Sequence, residues 1–410
     1  QTMTWTSDIR TFIQQHLNDD TADLLLAARR YPDADVPFAV EQIEARRRLK
    51  GKLPEWYGNA DLVMGGRVPA EQCSSEQTAR YKRSIIAGES LCDMTGGMGV
   101  DFWYMSEGMQ RAIYTERQPS LCEAARHNFA ALADGCHPVV DVREGDGRNL
   151  PIPSVDVIYL DPARRAGDGS RVYAMEDCEP NIVAWQDELL AHANMVLVKL
   201  SPMADIKDVL RKLRGVTEVH VVAVKNECKE VLVKMEAPQL PQEEGCCNGN
   251  DVKVFCVDFK TNRTIRYSFG LSDEMAVFVS ESGVGCYLYE PDVTLMKAQA
   301  FGSLCHRFNH LRQLEAGTHL MTSDELLPDF PGRIFEVEEQ MTLSSKLLKR
   351  LKRDIPQANI ATRNFPLTAD ELRKKTGIKD GGEVYLFGGK VKDVGHLLLK
   401  CRKKVVPSHP

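Results

Sequence analysis

Only a few residues separate the strand-like runs Glu218 to Val224 and Cys228 to Met235, and that short connection constrains the fold more than any other feature of the sequence. A parallel crossover needs a dozen or more residues, so these two runs must form an antiparallel hairpin. Upstream, five apolar runs of strand length stand at Ser90 to Asp93, Arg111 to Glu116, Val142 to Asp146, Val155 to Asp161 and Met195 to Leu200. Helix-patterned segments fall between and after them, at Val100 to Glu107, Ser120 to Leu132, Glu179 to Ala193 and Asp205 to Leu213. Such alternation predicts a parallel sheet covered by helices on both faces. The expectation is therefore an α/β fold, a doubly wound sheet of seven strands that ends in an antiparallel hairpin.

The flanks read differently. Residues 1–85 are helical: Ile9, Phe12, Ile13 and Leu17, then Leu24, Leu25 and Ala28, recur at helical spacing, and a third helix runs from Val36 to Lys50. Arg46, Arg47, Arg48 and Lys50 give that helix a cationic face, expected to be solvated ahead of meeting nucleic acid. Residues 86–237 hold the sheet. Ala237 to Asn250, with two prolines and Gly-Cys-Cys-Asn-Gly, reads as a linker. A small α+β domain is expected over 251–334, with a hairpin of Val252 to Phe259 and Thr264 to Phe269, a strand at Val284 to Tyr289 and a long helix from Val293 to Leu314. A last module over 335–410 has a basic helix at Leu343 to Arg353, a strand at Asn359 to Arg363, a helix at Ala369 to Thr376 and a strand at Glu383 to Gly388.

Composition narrows the function classes. With 43% hydrophobic and 27% charged residues the chain is neither disordered nor fibrous, and no apolar run approaches the length of a membrane span. Its 12 cysteines are scattered, no two of them two or four residues apart, so neither a metal site nor a disulfide framework is expected. They read as reduced, buried thiols of a cytoplasmic protein. The net charge of -6 hides an asymmetry, because residues 341–410 carry 16 Lys/Arg against 6 Asp/Glu. A basic module on an acidic body suits a phosphate backbone, or is a solvated lysine-rich surface.

The first strand runs into Asp93-Met94-Thr95-Gly96-Gly97-Met98-Gly99-Val100-Asp101 and then a helix. A glycine-rich turn there lets backbone N–H groups approach a nucleotide-like ligand that a Cβ would repel. The dinucleotide fingerprint wants a further glycine where Phe102 stands, so nicotinamide chemistry is disfavoured. Asp93 suits a ligand with a positive amino group. Glu116 closes the second strand and can accept from ribose hydroxyls, and Asp146 closes the third and can accept from an adenine amine. Taken singly, each acid is more often a solvated strand end or a helix cap. Three on successive strand ends lie along the carboxyl edge, where open α/β sheets bind ligands.

In these residues and in the final hairpin, roughly residues 75–236 resemble the Rossmann-like class I S-adenosylmethionine-dependent methyltransferases. The resemblance implies S-adenosyl-L-methionine as cofactor, with Asp93, Thr95, Gly96, Gly97 and Gly99 around its methionine moiety, Glu116 at the ribose and Asp146 at the adenine. The fourth strand ends in Asp161-Pro162-Ala163-Arg164. This is similar to the tetrapeptide of bacterial 5-methyluridine RNA methyltransferases, but the fifth strand runs into Lys199-Leu200-Ser201-Pro202 without their nucleophilic cysteine. The aromatic residue with which amino methylases stack a flipped base is also missing. Direct displacement remains. Asp161 is the expected group that holds or deprotonates the acceptor, with Pro162 and Arg164 beside it in the catalytic tetrapeptide. Arg164 and Arg165 suit a phosphate or carboxylate of the substrate, or a structural ion pair, and Lys199 and Ser201 are candidates to line the pocket.

A narrower resemblance lies in Glu71 to Arg83 and, in the tail, in Arg363-Asn364-Phe365-Pro366, Glu371-Leu372-Arg373-Lys374-Lys375 and Gly381 to Phe387. These are similar to bacterial methyltransferases that end in a ferredoxin-like and a THUMP-like domain. That resemblance implies RNA as the partner, docked by the basic C-terminus. Two other classes stay open: a methyltransferase of a protein or small molecule whose tail serves dimerisation, and a catalytically silent scaffold on the same fold. No membrane or metal partner is expected, and the oligomeric state is open.

Overall fold

Thr6, Asp20 and Asp35 each turn a side-chain oxygen onto a backbone N–H of the next turn, and so start α1 (Ser7–Gln15), α2 (Thr21–Leu26) and α3 (Val36–Leu49). The computed structural model of the chain describes residues 5–164, 175–237, 252–274, 279–280 and 283–405. It forms two compact units, Gln1–Thr217 with Leu232–Cys247, and Glu218–Val231 with Asn248–Pro410. Most of the expected linker, 238–250, lies outside the described residues.

In the first unit, α4 (Pro54–Gly58), α5 (Arg67–Gln72) and α6 (Glu76–Ser84) complete the N-terminal helices. Ile9, Phe12, Ile13, Leu24, Ala39 and Ile43 form their core. Arg47 and Arg48 of α3 and Lys50 at its end are exposed as their spacing suggests, but Arg46 is not. Arg46 is 4% exposed, and its guanidinium donates to the carbonyls of Asn59, Ala60 and Leu62. Arg47 likewise donates to the carbonyls of Leu17 and Asp19, so both staple loop backbone onto the helix.

The sheet follows as β1 (Ser90–Asp93), α7 (Val100–Met105), β2 (Arg111–Glu116), α8 (Pro119–Leu132), β3 (Val140–Glu144) and β4 (Val155–Leu160). A two-residue pair, β5 (Ala163–Arg164) with β6 (Cys178–Glu179), precedes α9 (Ile182–His192), β7 (Ala193–Leu200) and α10 (Ile206–Lys212). The strand order β7-β4-β1-β2-β3 is parallel throughout. Because the chain leaves β1 first toward β2 and later returns to β4, the order reverses between β1 and β4, and the carboxyl ends of those two strands flank the crevice that open α/β sheets use for ligands. β3 starts and ends two residues earlier than expected: Val140 pairs with Ala112 and Glu144 with Glu116, after which Gly145, at φ 148°, turns the chain and donates its N–H to the Glu116 carbonyl. Asp146 therefore lies beyond the strand and does not close it.

The second unit begins with the tip of the hairpin between β8 (Val216–Val224) and β9 (Glu227–Glu236). Lys225 and Asn226 turn it at φ 52° and 66°, the left-handed pair that a two-residue hairpin loop requires. β10 (Lys253–Phe259) then pairs parallel with β8, and β11 (Thr264–Gly270) pairs antiparallel with β10, so two strands extend the pairing beyond the hairpin. Asp258 of β10 accepts from the Asn226 N–H, and Lys260 bridges Asp258 and Asp292. The long helix expected over Val293 to Leu314 is two short ones. β12 (Tyr287–Pro291) leads to α11 (Val293–Ala298), which stops at the left-handed Gln299, and α12 (Phe301–Arg307) gives way to β13 (Arg312–Gln313). β14 (Met321–Ser323), β15 (Gly332–Thr342), α13 (Ser345–Asp354), β16 (Asn359–Arg363), α14 (Ala369–Thr376), β17 (Val384–Val391) and β18 (Gly395–Lys403) complete the chain. The seven-stranded sheet runs β13-β14-β12-β15-β18-β17-β16, with α13 and α14 packed on it through Leu347, Leu351 and Leu372.

Candidate active site

The glycine loop is shaped by what a Cβ would strike. On Gly96 it would lie 2.5 Å from the Tyr114 ring and 2.8 Å from the Thr115 carbonyl, so only glycine lets the loop lie against β2. Gly99 caps α7 at φ 79°, and a Cβ there would come within 2.7 Å of Phe129. Phe102, one turn on, is fully buried against Tyr114 and Phe129, where a dinucleotide fold would need its third glycine. Gly97 is different: at φ 63° it meets nothing closer than 3.9 Å, and its N–H donates to Glu116 Oε2 at 2.8 Å.

Asp93 ends β1 at 2% exposure. Its Oδ1 accepts from the Thr95 N–H at 2.8 Å and the Thr95 hydroxyl at 3.3 Å. Burial pushes its carboxyl well above the usual range, the Thr95 N–H opposes that, and Asp101 and Asp161 add to it. Thr95 Oγ1 accepts in turn from the Asp161 N–H at 2.7 Å, which joins the loop to the end of β4. A desolvated carboxylate that receives hydrogen bonds and, among the described residues, no cation is a fit for a positively charged ligand group.

Glu116 is also buried, and both its oxygens are engaged, Oε2 by Gly97 and Oε1 by the Gln118 N–H at 2.7 Å. Asp146 accepts from the Arg148 backbone N–H and from its guanidinium, at 2.6 Å for the closest pair, and Arg148 reaches on to Glu179 at 2.8 Å. The Arg148 hydrogen bond holds Asp146 below the ordinary carboxylate range.

Behind the loop lies a second set of charges, of which sequence reasoning singled out Lys199 but not Lys82 or Asp101. Asp101, in the first turn of α7, pairs with the fully buried Lys82 of α6 at 3.1 Å and accepts from Tyr159 of β4 at 2.7 Å and Ser74 at 2.8 Å. Burial pushes Asp101 up, but Lys82, Lys199 and the two hydroxyls outweigh it and hold the carboxyl far below its ordinary value. Lys199, at the end of β7, stands 3.6 Å from Asp101 Oδ2 and donates to Asp161 Oδ2 at 2.6 Å. Nothing in the periodicity marks Lys82, in a hydrophilic helix, or Asp101 as buried; an acid just after the last loop glycine was the one available signal.

Asp93, Thr95, Gly96, Gly97, Gly99, Glu116 and Asp161 thus meet at one edge, with Pro162, next in the chain after Asp161, half-buried and Asp146 on the neighbouring turn. Ser201 is turned onto the Met203 N–H. The side chain of Arg164 and all of Arg165 lie outside the described residues. Cys92, beside Asp93, has its thiol pushed up to about 12 by burial, which leaves no thiolate there. Among the described residues no cluster of His, Cys, Asp or Glu could hold a metal, and no helix is long and apolar enough to cross a membrane.

Comparison with known proteins gives the same picture. A family profile described as a ferredoxin-like domain matches residues 287–331, and one described as THUMP domain-like matches residues 332–403. Two Mycobacterium tuberculosis sequences, from strains CDC 1551 and H37Rv and named uncharacterized S-adenosylmethionine-dependent methyltransferases, are each 25% identical over 350 residues, covering 84% of this chain and 89% of their own. The crystal structure of a proposed methyltransferase from Porphyromonas gingivalis W83 is 36% identical, covers 97% of this chain and 98% of that one, and superposes with a TM-score of 0.86. With a loop, a switch point and a buried anion all suited to such a cofactor, the chain belongs to the S-adenosylmethionine-dependent methyltransferases that carry ferredoxin-like and THUMP-like domains at their C-terminal end.

Proposed function

We propose that the protein methylates RNA by direct displacement, with residues 86–237 as the transferase domain and 251–334 and 335–410 as the domains that recruit the substrate. The observation that carries the RNA reading is the face formed by α13 and α14. Lys346, Lys349, Lys352, Lys374 and Lys375 are exposed there and have no ion pair among the described residues. The two helices are neighbours, since a Cβ on Gly377 at the end of α14 would lie 4.0 Å from Lys352 of α13. Lysines left without carboxylates are available to phosphates.

In this reading Asp93 takes the positive amino group of the cofactor, Thr95 and the Gly96–Gly97 turn lie along its methionine part, Glu116 faces the ribose and Asp146 the adenine. The cofactor supplies the methyl group: the acceptor atom bonds to the methyl carbon as the carbon–sulfur bond breaks, its electron pair staying on sulfur. Asp161 orients the acceptor and accepts the proton it releases, which passes to water. No thiol or metal is called on.

The test is incubation of the whole protein with labelled S-adenosylmethionine and total cellular RNA. Label in RNA, lost in Asp161→Ala, is the expected result; label in protein or metabolite instead would overturn the RNA reading. Lys349→Glu with Lys352→Glu should weaken RNA binding uniformly across sequences and flatten its log–log salt dependence by roughly 2. Cofactor affinity, read by calorimetry, should be unchanged. Gly96→Ala should do the reverse: pushing the loop off Tyr114 lowers cofactor affinity about tenfold or more, at a cost of about 1–3 kcal/mol in stability, while RNA binding persists.

A further inference from the structure

Lys199 lies between two carboxylates of opposite character. Asp161 at the rim keeps 43% of its side chain exposed, whereas that of Asp101 is only 10% exposed. Lys82, with no exposed side-chain surface, secures Asp101 from the other side, and Tyr159 and Ser74 donate to its Oδ2. Asp101 is thus fixed by four groups drawn from α6, β4, β7 and the segment before α6. Its attraction for Lys199 then fixes the ammonium, and the ammonium hydrogen-bonds Asp161 at 2.6 Å. Two positive and two negative groups alternate along the row, which is how charges persist in a poorly solvated place.

Asp161 is held twice over. Thr95 Oγ1 accepts from its backbone N–H and Lys199 donates to its side chain, so the rim carboxylate has one preferred orientation. We propose that Lys199 is the positioning residue of the methyl-transfer site. Anchored on the buried Asp101–Lys82 pair, it holds the Asp161 carboxylate where its Oδ1 can accept a hydrogen from the acceptor group. This rests on the reading of Asp161 as the group that meets the acceptor. Lys199 itself touches neither acceptor nor methyl group; it acts through Asp161. A loss of alignment at such a site is costly because a displacement of about 1 Å from productive geometry can lower a rate about a hundredfold.

The experiment uses the full chain with Lys199→Met and Lys199→Arg, each alone and combined with Asp161→Asn. With labelled S-adenosylmethionine and total cellular RNA, Lys199→Met should lower kcat about a hundredfold while KM for RNA and the calorimetric Kd for the cofactor change less than about threefold. Lys199→Arg should recover at least about a tenth of the wild-type rate, and Lys199→Met should cost little more once Asp161 is Asn. A Lys199→Met enzyme with wild-type kcat, or equal losses in both backgrounds, overturns the proposal. A cycle of thermal unfolding on the wild type, Lys199→Met, Asp161→Asn and the double variant needs no substrate. Coupling between positions 199 and 161 is expected, and strictly additive melting shifts overturn the clamp. If RNA takes no label from the wild type, the RNA reading fails while the unfolding cycle still decides on Lys199.

Discussion

Replacing Asp93 by asparagine is expected to stabilise the ligand-free protein and, at the same time, to remove most of its affinity for S-adenosylmethionine. The two effects have one cause. Asp93 is buried and, among the described residues, accepts hydrogen bonds only from Thr95, and burial raises its carboxyl above the value it has in the unfolded chain. A group whose folded pKa is raised adds stability that is fully present below the unfolded pKa and is lost as pH rises through the folded one. Above the raised value the ionised carboxylate is therefore a strain on the fold, and asparagine, which keeps an oxygen for Thr95, relieves it. The variant should melt higher, by a margin that grows with pH. The cofactor's amino group then finds no anion, and losing one buried charge-assisted contact of about 3 kcal/mol lowers affinity about a hundredfold. In the wild type, binding at a pH below the raised Asp93 value must expel a proton, so affinity falls as the solution is acidified. Calorimetry repeated in buffers of different ionisation enthalpy would read that proton, and the asparagine variant should show none from this site. A variant that binds the cofactor as tightly as the wild type would move the ammonium site elsewhere.

How much of this was legible beforehand differs residue by residue. The hairpin followed from chain length alone, because no helix fits between Val224 and Cys228, and Lys225 with Asn226 turns it as that length demands. The glycine loop was legible because glycine marks places where a Cβ cannot go, and Gly96 and Gly99 meet that description. Asp93, Glu116 and Asp161 were legible as strand ends. What escaped is tertiary. The pairing of β10 with β8 looks, in sequence, like the start of a new domain, since a strand carries no label for its partner. Arg46 looked solvated because its three acceptors are carbonyls that a loop brings to it from beyond α3. The break at Gln299 left no proline or glycine to announce it. Lys82, Asp101 and Tyr159 belong to three elements whose meeting is a property of the packed fold, and a buried ion pair has no periodicity to betray it.

That pair is where the largest loss of stability should fall. Asp101→Asn keeps the shape of the side chain, and with it one acceptor for Tyr159 or Ser74, but leaves Lys82 fully buried without its anion. Removing one partner of a buried pair costs about 3–5 kcal/mol, mostly the penalty of the stranded charge. Lys199, 3.6 Å away, loses one of its two carboxylates but keeps Asp161, so the stranded charge is that of Lys82. The carboxyl of Asp101 is held far below its unfolded value, so its stabilisation is present above the ordinary carboxylate range and lost as pH falls through the folded pKa. The gap between wild type and Asp101→Asn should therefore be widest near neutrality and narrow in acid, a sign opposite to that of Asp93→Asn. The companion variant separates charge from shape. Asp101→Leu with Lys82→Met removes both charges and should recover most of the stability, because well-packed apolar replacements of buried ion pairs are often neutral or better. If the pair served stability alone, that double variant would also transfer methyl groups normally. If it anchors Lys199, the protein will melt like the wild type and turn over slowly, and thermal unfolding beside a single-turnover assay distinguishes the two.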